Sequence, residues 1–184
     1  MISFRKYKFS TAITFFIVAL LFGCESNFKE VQKINFSEFL PSGEADEINL
    51  KYTDSGKVKA ILVSAKMLEY GNVDFSFTEF PKGILVTLYD NSNKKTFVKS
   101  DYAVSYKQTN LIDLQGNVKI TTQEGQVLET DQLYFDQKNN WFFTDKNFKF
   151  TDPKGISSGQ GIDFSKDFKV INSQKIAGEV DSAE

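Results

Sequence analysis

The chain has 184 residues, 41% of them hydrophobic, with 22 basic and 24 acidic side chains and a net charge of −2. That length supports one domain with a real core and is short for two. There is no His, one Cys (Cys24) and one Arg (Arg5), which excludes a Ser-His-Asp or Cys-His dyad and the His and Cys sites that zinc prefers. A lone guanidinium also removes the usual means of holding phosphate in bidentate fashion. The 19 Phe and 7 Tyr, against 3 Pro and 11 Gly, favour folded β-structure over disorder. Acidic residues fall in turns and at outward strand positions. A hydrolase built on Asp131 and Asp163 would lack both a partner base and an oxyanion donor. No catalytic residue, cofactor or metal is expected.

The chain begins MISFRKYKFSTAITFFIVALLFGC. Arg5, Lys6 and Lys8 precede an uncharged, mostly apolar segment at 9–22. Its length suits a secretory signal and falls short of the ~18 apolar residues of a spanning helix. Leu21-Phe22-Gly23-Cys24 then resembles a bacterial lipobox, although Phe22 departs from the small or aliphatic residue usual before the last small one. Residues 1–23 are therefore expected to be a lipoprotein signal peptide and Cys24 the lipidated first residue of the mature chain. The alternative is an uncleaved signal anchor. Without residues 1–23 the net charge is −5, a poor match for nucleic acid. No polybasic segment is present to hold a membrane, so the lipid on Cys24 would supply attachment. A single Cys also means that no disulfide is needed outside the inner membrane.

Residues 25–49 are charged and weakly periodic, with PSGEADE at 41–47 reading as a loop. We expect a tether over 24–50, with a short helix near 28–39, followed by one domain over 51–184. In that domain apolar and polar residues alternate with period two. Val58, Ala60 and Leu62 begin the pattern, and Val73, Phe75 and Phe77 continue it. Ile84, Val86 and Leu88 follow the turn signal Pro81-Lys82-Gly83. Tyr102, Val104 and Tyr106 come next, then Val118 with Ile120 and Leu133 with Phe135. Phe148 with Phe150, Ile162 with Phe164 and Phe168 with Val170 complete the series.

A repeat of about 30 residues underlies the alternation. Ser100-Asp101, Thr130-Asp131 and Gln160-Gly161 are each expected to open a strand at that spacing, and Gly116-Asn117-Val118 corresponds to Lys146-Asn147-Phe148. Units of two short strands cannot bury a face alone, so they must stack. The expected fold is all-β: a twisted, open β-jelly-roll or stacked antiparallel sandwich built from these strand pairs.

The segments YTDSGKVKAILVSAKMLEY (52–70), FPKGILVTLYD (80–90), SDYAVSYK (100–107), LQGNVKITTQEGQVLETDQLYFD (114–136) and GISSGQGIDFSKDF (155–168) resemble, in that order, the LptC family. The likeness is to its lipoprotein version in Bacteroidetes-like bacteria. The resemblance implies a non-enzymatic component of lipopolysaccharide export, lipid-anchored at the periplasmic face of the inner membrane. Such a component accepts lipopolysaccharide from an inner-membrane ABC transporter and passes it to a periplasmic bridge protein (LptA-like). It further implies a lipopolysaccharide-binding interior, here Phe75, Phe77, Val86, Val104, Val118, Ile120, Leu133, Phe135, Phe148, Phe150, Ile162 and Phe164. The docking edge for the bridge protein would lie over 168–180, with Phe168, Val170, Ile176 and Val180 as its apolar residues. Alternation is equally compatible with a filled core and an open trough. The competing reading is a structural or surface β-lipoprotein that binds a partner protein or glycan through a sheet edge.

Replacing Cys24 by Ala is expected to leave the uncleaved precursor. Intact-mass measurement checks this, and an unchanged mature mass would contradict it.

Overall fold

The structure, a computed structural model, describes residues 40–177. Cys24, the helix expected near 28–39, most of the expected tether and Val180 lie outside the described residues. The described residues begin with a long hairpin, β1 (Gly43–Asp54) and β2 (Lys57–Tyr70). Four short strands follow: β3 (Phe77–Phe80), β4 (Ile84–Tyr89), β5 (Lys95–Ser100) and β6 (Tyr102–Tyr106). Then come β7 (Leu111–Thr122), β8 (Val127–Asp136), β9 (Trp141–Asp152), β10 (Gly155–Ser165) and β11 (Ile171–Ala177). Turn chemistry separates them. Asn110 and Asn140 close the β6–β7 and β8–β9 turns at φ +56° and +52°, a left-handed conformation that Asn tolerates better than most residues.

All eleven strands join one antiparallel sheet, and its order branches. Residues 111–115 of β7 pair with β6, whereas residues 119–122 pair with β5. In the same way β2 pairs with β4 through residues 60–63 and with β3 through residues 68–70. The short strands therefore form two separate pairs, β4–β5 and β3–β6, and β2 and β7 run through both. One apolar cluster includes Ile84, Val98, Ile120 and Phe150 from the first half together with Phe80, Leu133, Phe142 and Phe164 from the second. The sheet is thus folded over itself into an all-β, jelly-roll-like architecture, as the alternation and the stacking argument lead one to expect.

The fold line is visible strand by strand. Register shifts fall between Gln115 and Val118 on β7, between Thr130 and Tyr134 on β8 against β9, and between Gln160 and Ile162 on β10. These are β-bulges, which bend a strand and sharpen its twist. Gly116 and Gly161 adopt φ +72° at the bulges, where a Cβ would be strained. Buried hydroxyls serve the interrupted backbone. Thr130 Oγ1 donates to the Asn147 carbonyl (2.8 Å), and Ser64 Oγ donates to that of Gly83 (2.7 Å). Thr144 Oγ1 accepts from the Lys146 N–H (3.1 Å).

Two sequence expectations change here. PSGEADE is not a loop throughout: β1 starts at Gly43 and pairs with β2 along its length. Edge-strand pairing is a backbone property, so polar side chains do not prevent it. Ser100-Asp101 does mark a strand junction, but Thr130-Asp131 and Gln160-Gly161 lie inside β8 and β10. The repeat of about 30 residues spaces the fold line rather than strand starts.

Gly83 tests the fold line. A Cβ added there would run into the Ser100 carbonyl at φ +75°, whereas at Gly125 (φ +89°) nothing lies within 4 Å. Gly125→Ala is expected to cost about 1–2 kcal/mol of backbone strain. Gly83→Ala should cost clearly more, because backbone must move as well. Urea unfolding of the two variants side by side checks the difference.

Candidate functional site

Directly paired residues on adjacent strands point to the same side of a sheet, so register reads out the inner face. In the first half the inner row runs Leu50, Leu62, Val86, Val98, Ile120, Leu128 and Phe150 across β1, β2, β4, β5, β7, β8 and β9. In the second half Ile112, Phe135, Phe142 and Phe164 form the opposing row across β7 to β10. Phe135 stacks on Phe142 (4.4 Å between ring centroids) and Phe142 on Phe164 (5.1 Å). Two apolar walls therefore face each other, as in a sandwich.

The space between the walls is filled at one end and open at the other. Val98, Ile120, Leu128, Phe142 and Phe164 are buried, whereas Leu62, Val86, Ile112 and Phe135 are half-buried and Leu50 is 48% exposed. Phe168, in the β10–β11 turn at φ +57°, fits between the walls. Its ring lies 6.2 Å from Phe150 and 4.7 Å from Phe164. Toward β1, β2 and β4 the walls enclose a cavity of about 1360 Å³. That exceeds the ~300–1,000 Å³ of pockets that hold drug-sized ligands. Turns from both halves rim it, residues 89–95 and 122–126 on one lip and 137–141 and 165–169 on the other.

The twelve residues expected in the interior divide into three groups. Val86 and Phe135 line the cavity. Val118, Ile120, Leu133, Phe148, Phe150, Ile162 and Phe164 point inward but belong to the filled core. Phe75, Phe77 and Val104 are not on the inner face. Phe75 is 77% exposed in the β2–β3 turn, where period two has no meaning. Phe77 pairs with Tyr70 and Tyr106 and stacks on the Tyr70 ring at 4.5 Å. Val104 is buried, but it pairs with Glu79 and Asp113 on the outer face, whereas Ala103 is the core residue.

Among the residues expected at the docking edge, Phe168 is in the core, because its turn folds it back between the walls. Val170 is exposed just before β11, and Ile176 is 69% exposed on β11, whose second edge is unpaired among the described residues. Sequence reasoning missed Ile112, Leu114 and Phe142 as cavity-lining residues. Leu111-Ile112-Asp113-Leu114 and Trp141-Phe142-Phe143 are nearly continuous apolar runs, and alternation is hidden where both faces carry apolar groups. Gly116 and Asn140, the turn signals beside them, could have fixed their phase.

The electrostatics show no tuned acid or base. Burial, and then Glu79, raises the Tyr102 phenol, which donates to Glu79 Oε1 at 2.8 Å. The hydrogen bonds from Lys169 and Ser165 lower Asp167 to about 2. Among the described lysines and carboxylates that shift, only Lys166 moves toward its neutral form, lowered first by burial and then by the Lys59 ammonium. No three His, Cys, Asp or Glu side chains converge among the described residues, and no helix there is long and apolar enough to cross a membrane.

The family model for LptC-related lipopolysaccharide-assembly proteins matches residues 44–174, more than half of the chain. The chain belongs to the LptC family. No curated protein matches it. LptC proteins are transport components rather than an enzyme family, associated with the periplasmic side of the inner membrane. The match begins one residue into β1 and ends within β11, so it takes in all of β2 to β10 and part of each terminal strand of the folded-over sheet.

Phe168 gives the site its testable feature. Phe168→Ala is expected to cost about 3–5 kcal/mol and to extend the cavity toward Phe150. Urea unfolding measures the first effect. Increased uptake of an apolar fluorescent reporter measures the second.

Proposed function

We propose that this LptC-family chain is a non-enzymatic carrier whose trough holds the acyl chains of lipopolysaccharide during transfer. The cavity between the two apolar walls carries this reading. An acyl chain of about a dozen methylenes costs on the order of 10 kcal/mol to expose to water. A carrier through an aqueous compartment therefore needs apolar surface continuous with an opening, and no chemistry. Val86, Phe135 and the neighbouring Leu62 and Ile112 provide it.

In this reading the chain is held by lipid on Cys24 at the periplasmic face of the inner membrane. It takes lipopolysaccharide from an inner-membrane ABC transporter and passes it to a periplasmic bridge protein. The edge of β11 left unpaired among the described residues, with Ile176 exposed on that strand, and Val180 beyond are the proposed docking strand. An unpaired edge invites strand addition.

A photoreactive amino acid in place of Val86 or Phe135 is expected to capture lipopolysaccharide in cells. The same probe at Val118, 1% exposed in the filled core, should capture little. No capture from positions 86 and 135, in protein that remains folded, would end the reading.

A further inference from the structure

The rim of the trough has a charge pattern that the apolar walls do not explain. Six lysines and four carboxylates line the cavity and its rim, in a chain whose net charge is negative. Each carboxylate is already committed. Asp90 Oδ1 accepts from the N–H groups of Ser92 (2.7 Å) and Lys94 (2.8 Å). Asp54 accepts from Ser55 Oγ, Glu124 pairs with Lys94, and Asp167 pairs with Lys169 at 2.9 Å. Lys166 differs. It is half-buried in the β10–β11 turn, its backbone N–H is bonded to the Asn140 carbonyl, and its ammonium forms no ion pair among the described residues.

The group nearest to it in charge effect is another cation. Lys59 stands on β2, on the opposite lip, where the β1–β2 register shifts: Tyr52 pairs with Ala60 and Thr53 with Val58, so Lys59 is the extra residue of a bulge. Strict alternation would send Lys59 and Ala60 to opposite faces. Both line the cavity, and a bulge is a device that re-aims one side chain. Lys59 Nζ is further held by Asn91 Oδ1 at 2.8 Å. Burial and the Lys59 charge both act to neutralise Lys166. Two ammonium groups held from opposite lips, one of them desolvated and without a counter-ion, form an arrangement that an anion between them would relieve.

We infer that Lys59 and Lys166 form a phosphate site at the mouth of the trough, which holds the phosphorylated headgroup of an amphiphile whose chains lie against Val86 and Phe135. The inference rests on the carrier reading above. Lysines act here as two point charges rather than as a bidentate fork. The neutral side-chain amide of Asn140 on the rim can donate to a remaining phosphate oxygen.

The test uses the full chain and three probes: dodecyl phosphate and dodecanol, both below the concentrations at which they aggregate, and inorganic phosphate. Affinities come from displacement of an apolar fluorescent reporter and from calorimetry. Dodecyl phosphate is expected to bind at least about tenfold more tightly than dodecanol, since each charge-assisted bond contributes on the order of a tenfold gain. Lys59→Gln with Lys166→Gln should remove that preference and leave dodecanol binding unchanged, and Lys166→Arg should keep it. A preference that survives in the double variant, or no preference in the original protein, overturns the phosphate site while dodecanol binding still supports the trough. Failure of dodecanol and dodecyl phosphate alike to bind overturns the carrier reading. If inorganic phosphate alone binds and depends on the two lysines, the site takes free phosphate and the headgroup assignment is wrong. Lys166→Met, which removes a desolvated charge and keeps the apolar stem, replaces the Gln variant if that does not fold.

Discussion

An antiparallel sheet has two faces, and with no helix among the described residues this one can cover a face only by folding over it. Folding interrupts hydrogen-bond ladders at the line where it occurs, and a buried polar group left unpaired there costs about 1–3 kcal/mol. The chain meets this along one line. Bulges on β7 to β10 align, glycines supply the positive φ, and Ser64, Thr130 and Thr144 bind the interrupted backbone. On the solvent side Asn117 donates to Asp101 (2.6 Å), whose own N–H is bonded to the Gly116 carbonyl. The apolar walls face each other only because these bends coincide. A strand that bent elsewhere would break register with both neighbours.

The sequence made the strands legible because period two is a local property, and it made the repeat legible because each bend carries its own Gly, Asn, Ser or Thr. It did not say which row of an alternating strand faces inward. On β6 the apolar Tyr102, Val104 and Tyr106 face outward while Ala103 packs in the core, so the small residue, not the large ones, marks the interior. Pairing decides this: Phe80 opposite Ala103, and Ala103 opposite Leu114. The outer row is itself well satisfied. Asp113 accepts from Gln115 and Gln132, and Asp163 from Trp141 and Asn172. Outward aromatic residues are supported by these polar partners, which makes them resemble a second core in sequence.

Phe168 illustrates the opposite error. Period two extended from Phe164 through Phe168 to Val170 reads as a strand edge, but the ladder ends at Ser165. Ser165 Oγ and Asp167 then organise a turn: Ser165 accepts the Val170 N–H and donates to Asp167. That turn holds Phe168 at a positive φ and returns its ring to the interior. Alternation is a property of paired backbone, and it fails where the pairing stops.

The filled and open ends of the molecule divide the energetic work. Burial of Ile120, Leu128, Leu133 and Phe164, at roughly 25 cal/mol for each Å² removed from water, stabilises the folded sheet without help from the mouth. Leu62, Val86, Ile112 and Phe135 remain partly wet, so the apolar area they expose is free energy that an inserted chain would recover. A fully packed sandwich would have nothing left to offer a lipid, and a trough open along its whole length would lack the core that keeps its walls apart. Closing one end with the β10–β11 turn and leaving the β1, β2 and β4 end unfilled gives both within one sheet. The same turn carries Lys166 to the rim. The residue that closes the core and the residue proposed to hold a headgroup are therefore two positions apart, and a shift of this turn would move both together.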